Sequence, residues 1–454
     1  MSRLFGTDGV RGIANQDLTV ELALRLGRAA AFKLAHRGQA RPERGRGSRP
    51  RVILARDTRA SGDMLEAALV AGMTSTGADA LLAGVMPTPA VAYLATALEV
   101  DAGVVLSASH NPFDYNGIKF FSHQGYKLPD ALEDDIERLT LSEEEIPCPT
   151  AGDVGRAEAC PEAVDRYQEH LRGVMSHRLD GMKIAVDCAN GAAHRIAAEV
   201  LRALGAEVIA LHDQPDGINI NARCGALHPE VVAQAVRDHG ADVGLTFDGD
   251  ADRLLMADER GQVVDGDHVL AITARRLQSQ GRLPGDLVVG TVMNNLGLEL
   301  SLGEIGAALE RTRVGDRYVL EAMLETGSRL GGEQSGHIIF LDHATTGDGL
   351  ITALVVLDIM VGENKRLSEL AAIVTPCPQV LLNVAVRERV AWDQDPEVAA
   401  AIANAERELD SSGRVVVRAS GTEPLIRVMV EGMDGDRVAA CAESIAKTIR
   451  QRLA

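Results

Sequence analysis

The chain has 454 residues, too many for one hydrophobic core, so it divides into three or four domains of roughly 100 to 200 residues each. Its 46% hydrophobic and 24% charged residues are those of an ordinary globular protein, and 3% aromatics leave few platforms for stacking bases. Lys and Arg number 46 against 65 Asp and Glu, a net charge of −19 that makes nucleic acid and anionic membrane poor partners and requires any phosphate site to be locally basic.

The opening, Met1-Ser2-Arg3-Leu4-Phe5-Gly6-Thr7-Asp8, has no apolar signal core. The longest apolar window, Leu350 to Val361, contains Asp358 and is too short to span a bilayer, so a cytoplasmic protein is expected. Cys148, Cys160, Cys188, Cys224, Cys377 and Cys441 are scattered without a C-x-x-C pair, which predicts free thiols in a reducing compartment.

A first helix carries Leu22, Leu26, Ala29 and Ala30 on one face, with Thr19 as its cap. The Arg-, Gly- and Pro-rich stretch from His36 to Arg51 reads as a surface loop before the next strand, because the rest of the chain is too acidic for a nucleic-acid arm. Val52 to Ala55 then leads through Asp57-Thr58-Arg59-Ala60-Ser61-Gly62 to an alanine-rich helix and a strand from Gly77. The strand-like run Gly103-Val104-Val105-Leu106 ends in Ser107-Ala108-Ser109-His110-Asn111-Pro112, where Ser109 offers a hydroxyl nucleophile at the end of a strand, the place open α/β sheets put ligands. Asn116-Gly117-Ile118-Lys119 reads as a turn returning into a strand, bringing Lys119 back toward that loop. Ser142 to Pro149, rich in Glu and Pro, is the first linker.

A second unit repeats the pattern: Ile184 to Asp187, the turn Ala189-Asn190-Gly191, a helix, and a strand from Gly205. After the apolar run Val243 to Phe247, Asp248, Asp250 and Asp252 stand at every second position, a crowding of hard oxygen ligands that asks for Mg²⁺. An EF-hand starts the same way, but Arg253 occupies the position that needs glycine and the flanks look like strands. A third, fainter unit runs from Leu287 through Asn294-Asn295 to Ala308, and Gly331-Gly332-Glu333-Gln334-Ser335-Gly336-His337 offers a carboxylate, a hydroxyl and an imidazole suited to a polyhydroxyl ligand. Units of this kind favour mostly parallel sheets with helical crossovers.

Past the Pro376-Cys377-Pro378 step the grammar changes to strand, helix, strand, strand, helix, a small α+β domain. Its loop Arg418-Ala419-Ser420-Gly421-Thr422-Glu423-Pro424, followed by Arg427, carries the donors and charge that bind a phosphate. The expected division is 1–155, 156–258, 259–376 and 377–454. The boundary near Glu259-Arg260-Gly261 also reads as a plain hairpin turn.

In this order, the Phe5 to Gly12 opening, the serine loop, the Asn116 to Phe121 segment, the Asp248 to Arg253 loop, the Gly331 to His337 loop and the Arg418 to Pro424 loop resemble the α-D-phosphohexomutase superfamily, in particular its amino-sugar branch. The resemblance implies three similar mixed-sheet α/β domains plus a smaller, mobile C-terminal α+β domain around a central cleft. It implies a phosphoserine at Ser109, one Mg²⁺ held by Asp248, Asp250 and Asp252 with a phosphoserine oxygen, and Arg11, Lys119, His110 and His337 near the reacting oxygens. Arg253, Glu333 and Ser335 would contact the sugar phosphate, and Arg418, Ser420, Gly421, Thr422 and Arg427 would anchor the phosphate that does not react. The implied reaction interconverts glucosamine 6-phosphate and glucosamine 1-phosphate through glucosamine 1,6-bisphosphate or a related bisphosphate, by a monomer or homodimer, and feeds UDP-N-acetylglucosamine and cell-wall precursor synthesis. The alternatives are a phosphomannomutase or phosphoglucomutase, and a metal-dependent phosphohydrolase with a serine nucleophile. At Arg313-Val314-Gly315-Asp316-Arg317, Asp316 stands where hexose-specific relatives commonly have histidine, so no general acid or base carries over there. Our hypothesis from the sequence is that Asp316 favours an ammonium-bearing sugar.

Overall fold

A computed structural model describes residues 3–6, 8–36, 49–387, 392–419 and 425–453. Most of the Arg-rich stretch, residues 37–48, lies outside the described residues, as do Ser420, Gly421 and Thr422 of the expected phosphate loop.

The first sheet comprises β1 (Val10–Ile13), β2 (Arg51–Arg56), β3 (Asp79–Val85), β4 (Ala102–Leu106), β5 (Tyr115–Ser122) and β6 (Ala157–Ala159), in the spatial order β1-β5-β4-β2-β3-β6. Its centre is parallel: β4, β2, β3 and β6 run together, while β5 turns back antiparallel between β4 and β1. All five residues of β4 are buried, as a central strand covered on both faces requires. Two expectations change here. Asn116 and Gly117 are not a turn, because β5 already begins at Tyr115 and pairs both residues with β1. A boundary at 155/156 would cut β6 from this sheet, since Ala157 to Ala159 pair with β3.

The second sheet contains β7 (Lys183–Asp187), β8 (Glu207–Leu211), β9 (Val243–Phe247), β10 (Leu254–Ala257) and β11 (Val263–Val264), in the order β11-β10-β9-β7-β8. Glu259-Arg260-Gly261 is the hairpin turn between β10 and β11, so this sheet continues past 258 to Val264. The third sheet orders β12 (Leu287–Thr291), β13 (Ala308–Thr312), β14 (Leu330–Gly332) and β15 (Ile338–Phe340) as β13-β12-β14-β15. The fourth is antiparallel throughout: β16 (Gln379–Ala385), β17 (Gly413–Ala419) and β18 (Leu425–Gly432), with β18 central and helices Pro396–Leu409 and Gly435–Leu453 packed on it.

Packing separates these units unequally. One continuous apolar core joins the first three sheets, running from Ile53 and Val105 through Ile184 and Leu245 to Val288 and the almost wholly buried helix Gly349–Glu363. Leu26, Ala29 and Ala30 of the first helix enter a second core beneath the first sheet, and Thr19 Oγ1 accepts from Leu22 N at 3.2 Å as its cap. The fourth unit has its own core of Val384, Val398, Val428, Val438 and Ile445. It meets the third unit through polar groups: Asn295 Nδ2 donates to Glu431 Oε2 at 3.1 Å, and Arg414 Nη2 donates to the Asn294 carbonyl at 2.6 Å. No helix among the described residues is long and apolar enough to cross a membrane.

Candidate active site

The chemistry collects where parallel strands end. β4 delivers Ser109, β2 delivers Asp57 and Arg59, β9 delivers the three aspartates, and β14 delivers Glu333 and His337. Ser109 has φ +51°, a left-handed conformation that a serine adopts only under constraint, and it is buried. Its Oγ donates to Asp248 Oδ2 at 2.6 Å and lies 3.3 Å from His110 Nδ1. Gly249 makes this approach possible, because a Cβ there would stand 2.5 Å from the Ser109 carbonyl oxygen.

Asp248, Asp250 and Asp252 are buried and offer ligand oxygens within 4.8 Å of one another. Asp250 Oδ2 accepts from Lys119 Nζ at 2.7 Å and from Thr88 Oγ1 at 2.6 Å, yet Asp250 Oδ1 and Asp252 Oδ1 are buried with no hydrogen-bond partner. Burial, then the charges of Asp252 and Asp250, pushes the Asp248 carboxyl well above the ordinary carboxylate range. Unpartnered oxygens beside mutually repelling carboxylates are what a hard divalent cation relieves, so these residues fit a bound metal.

Cationic groups surround the cluster. Burial opposes the charge on Lys119, but Asp250 and Asp252 overcome it and raise the pKa. Arg253 follows the same logic with Asp252, Asp248 and Glu333. Arg11 Nη2 bonds Asp8 Oδ2 at 3.1 Å, and its Nε is buried without a partner. Burial, reinforced by Arg253 and Arg11, lowers the His110 pKa to about 4, so its imidazole is neutral at pH 7. His337 is the opposite case: burial disfavours its charge, but Asp252 at 3.6 Å and Asp316 at 3.7 Å raise the pKa to about 9. The Gly347 N–H donates to His337 Nε2 at 3.1 Å, so this geometry holds the neutral tautomer with its proton on Nδ1 toward Asp252, and the charged form that the carboxylates favour has to break that hydrogen bond.

Glu333 Oε1 accepts from Gly315 N at 3.1 Å, and Ser335 beside it is exposed. Gly336, at φ +91°, packs so tightly on β10 that a Cβ would meet the Leu254 carbonyl at 2.1 Å, which locks the Gly331 to His337 loop to the strand that follows the aspartates. Arg418 and Arg427 are directly opposed across β17 and β18, and Arg427 Nε is buried and unpartnered. Among the described residues no hydrogen bond or ion pair links these arginines to the carboxylate cluster. Asp316 does not stand free: its Oδ2 is 2.5 Å from Lys127 Nζ, which also bonds Asp8 Oδ1 at 2.8 Å.

Lys127, Asp8, Thr88, Asp57, Arg59 and Asn221 were not singled out from the sequence. Asp57 and Arg59 had a signal, a polar turn after an apolar strand like that of Ser109; the others become visible only through their partners. The six cysteines are free thiols. Cys224 lies near Asp187 and His212, but the Asp187 oxygens already accept from Ala189 N, Gly225 N and His212, so this group reads as a loop tie.

Comparison with known proteins decides the family. Models described as phosphoglucomutase/phosphomannomutase alpha/beta/alpha domains I, II and III and C-terminal domain match residues 2–147, 165–261, 265–377 and 381–448. The chain belongs to the phosphoglucomutase/phosphomannomutase family. Within this family it is 55% identical over 439 residues to a phosphoglucosamine mutase of Moorella thermoacetica, covering 96% of this chain and 97% of that protein. It is 53% identical over 455 residues to that of Symbiobacterium thermophilum, covering 100% of both. Among solved structures, a phosphoglucomutase/phosphomannomutase family protein of Burkholderia thailandensis superposes with a TM-score of 0.81 at 25% identity, over 99% of this chain and 98% of that one. The N-acetylphosphoglucosamine mutase of Aspergillus fumigatus, solved with GlcNAc-6P and magnesium, shares the fold with a TM-score of 0.68 at 19% identity, over 99% of this chain and 95% of that one.

Proposed function

We propose that the protein is an isomerase that interconverts glucosamine 6-phosphate and glucosamine 1-phosphate through a phosphoserine at Ser109 and a bisphosphate intermediate. The observation that carries this reading is the 2.6 Å contact between Ser109 Oγ and Asp248, inside a carboxylate cluster with two unpartnered oxygens. Identity of 50–55% to phosphoglucosamine mutases over essentially the whole chain supports the choice of sugar.

Asp248, Asp250 and Asp252 would hold Mg²⁺, which when bound neutralises charge on the phosphoryl oxygens. The chain's own groups do the rest. Phosphoryl transfer needs in-line positioning and compensation of the equatorial oxygens more than covalent chemistry from the protein. Lys119, held in the charged state by Asp250 and Asp252, and Arg11 supply fixed positive charge at the loop that carries Ser109. His110, neutral at pH 7 and 3.3 Å from Ser109 Oγ, is placed to exchange a proton with that oxygen. Glu333 accepts hydrogen bonds from sugar hydroxyls, while Arg418 and Arg427 anchor the phosphate at the far end of the sugar. Ser420, Gly421 and Thr422, which the resemblance adds to that anchor, lie outside the described residues. One phosphoryl group passes from Ser109 to the substrate, the bisphosphate turns over, and the other returns to the serine.

Intact-mass mapping of phosphate on Ser109, with a coupled assay for glucosamine 1-phosphate, tests this. Ser109→Ala should carry no phosphate and turn over no substrate. Wild-type rates from that variant, or release of inorganic phosphate in place of isomerisation, would end the reading.

A further inference from the structure

Arg59 is fully buried, an expensive location for a guanidinium unless every donor is used. Every donor is. Nε donates to Asp57 Oδ2 at 2.8 Å. Nη1 donates to the carbonyls of Pro112 and, at 2.9 Å, Tyr115, and Nη2 donates to those of Ser109 at 3.0 Å and Asn111 at 2.8 Å. A guanidinium has five N–H groups, and four of them end on the backbone of one segment, the loop that carries Ser109.

The tie is doubled on both sides. Asp57 Oδ2 also accepts from Ser107 Oγ at 2.6 Å, and that oxygen accepts from Ser109 N at 2.9 Å. From the second unit, Asn221 Nδ2 donates to the same Ser109 and Asn111 carbonyls at 2.9 and 3.1 Å. A loop left to itself would release Ser109 from φ +51°, and the Oγ would swing away from Asp248. The converging carbonyl oxygens would also turn their negative ends toward one another beneath a side chain destined to carry a phosphate dianion. A planar cation that bonds them all removes that repulsion, and lysine cannot reproduce its geometry.

We propose that Arg59 is a positioning residue for phosphoryl transfer: it holds the backbone of the Ser109 loop in its left-handed turn so that Oγ keeps one line of attack while the phosphoryl group comes and goes. The proposal rests on the reading of Ser109 as the phosphoryl carrier. Because Arg59 acts on the loop and not on the sugar, its loss should lower kcat while leaving KM nearly unchanged.

The test compares Arg59→Lys with Asn221→Gly, which removes the donor from the other side and tolerates the left-handed backbone at 221. Folded fraction comes from circular dichroism, Ser109 phosphate from intact mass, and kcat and KM from the coupled assay on glucosamine 6-phosphate. In folded Arg59→Lys, kcat should fall on the order of 10²-fold with KM within about threefold, since small displacements of a reacting group cost that much. Asn221→Gly should shift kcat the same way by about tenfold, and the double variant should lose less than the product of the two. Wild-type kcat in folded Arg59→Lys overturns the proposal, and so does a kcat loss that only tracks the unfolded fraction. If Arg59→Lys does not fold, Asn221→Gly decides: a wild-type rate overturns the proposal, and a kcat-only loss supports it. Wild-type enzyme that turns over without phosphate ever appearing on Ser109 sinks the mutase reading itself, whereas a phosphorylated wild type with unaffected variants sinks only the role of Arg59.

Discussion

Lys119 Nζ sits 2.7 Å from Asp250 Oδ2 with both side chains buried, so a strand of the first sheet is tied directly to the carboxylate loop of the second. Removing one partner of a buried pair costs about 3 to 5 kcal/mol because the other charge is left uncompensated. Lys119→Met should therefore lose both turnover and stability. A cation bound by the aspartate cluster would take over part of the compensation, so the stability loss in urea unfolding should be larger in EDTA than in excess Mg²⁺. An equal loss under both conditions would mean that the aspartates do not share a metal with Lys119 as neighbour.

Tyr167 O–H donates to Asp348 Oδ2 at 2.6 Å, joining the helix Glu162–Arg172 to the cap of Gly349–Glu363. Burial raises the Asp348 pKa to about 6, against the opposing pull of Tyr167 and two backbone N–H groups. A raised carboxyl binds its proton more tightly in the folded chain, so its contribution is complete below the unfolded pKa near 3.8 and is lost as pH rises through 6. Asp348→Asn keeps the cap, since Leu350 N and Ile351 N both bond Oδ1, and it does not ionise. Its stability relative to wild type should climb between pH 4 and 7 by up to about 3 kcal/mol, at roughly 1.4 kcal/mol per pH unit. A flat difference across that range would refute the assignment.

Arg418 and Arg427 face each other on adjacent strands, a like-charge pair that is unfavourable until an anion bridges it. Burial and the charge of Arg427 lower the Arg418 pKa. Arg418→Ala should raise KM for the sugar phosphate by about tenfold or more with a smaller change in kcat, the pattern of lost uniform binding. A fall in kcat at unchanged KM would place Arg418 in the chemical step instead.

Asp316 pairs with Lys127 at 2.5 Å and lies 3.7 Å from His337, so its charge is already compensated without an ammonium-bearing sugar. Asp316→Asn should leave the kcat/KM ratio for glucosamine over glucose phosphate within about threefold of wild type. The variant should instead weaken the contact between the first and third units, visible as earlier loss of structure on heating. A collapse of the sugar ratio would restore the ammonium hypothesis drawn from the sequence.

Short-range patterns alone determined a good deal of this protein. Alternation of apolar runs with helical stretches marked most strands of the three α/β sheets, and the serine and aspartate turns after β4 and β9 marked residues that the fold brings together at the candidate site, because backbone periodicity and turn preference act over a few residues. Local reading failed where pairing overrides it: Asn116-Gly117 has turn residues but lies inside β5, paired with Gly12 and Arg11 of β1, and Ala157 to Ala159 belong to the first sheet only because β3 offers them an edge. What only the tertiary structure decided is which charges meet. Nothing in the local sequence ties Arg59 to four carbonyls about fifty residues away, Lys119 to Asp250, or Asp316 to Lys127, since electrostatic compensation in a buried site depends on distances in space, and those exist only once the sheets have packed.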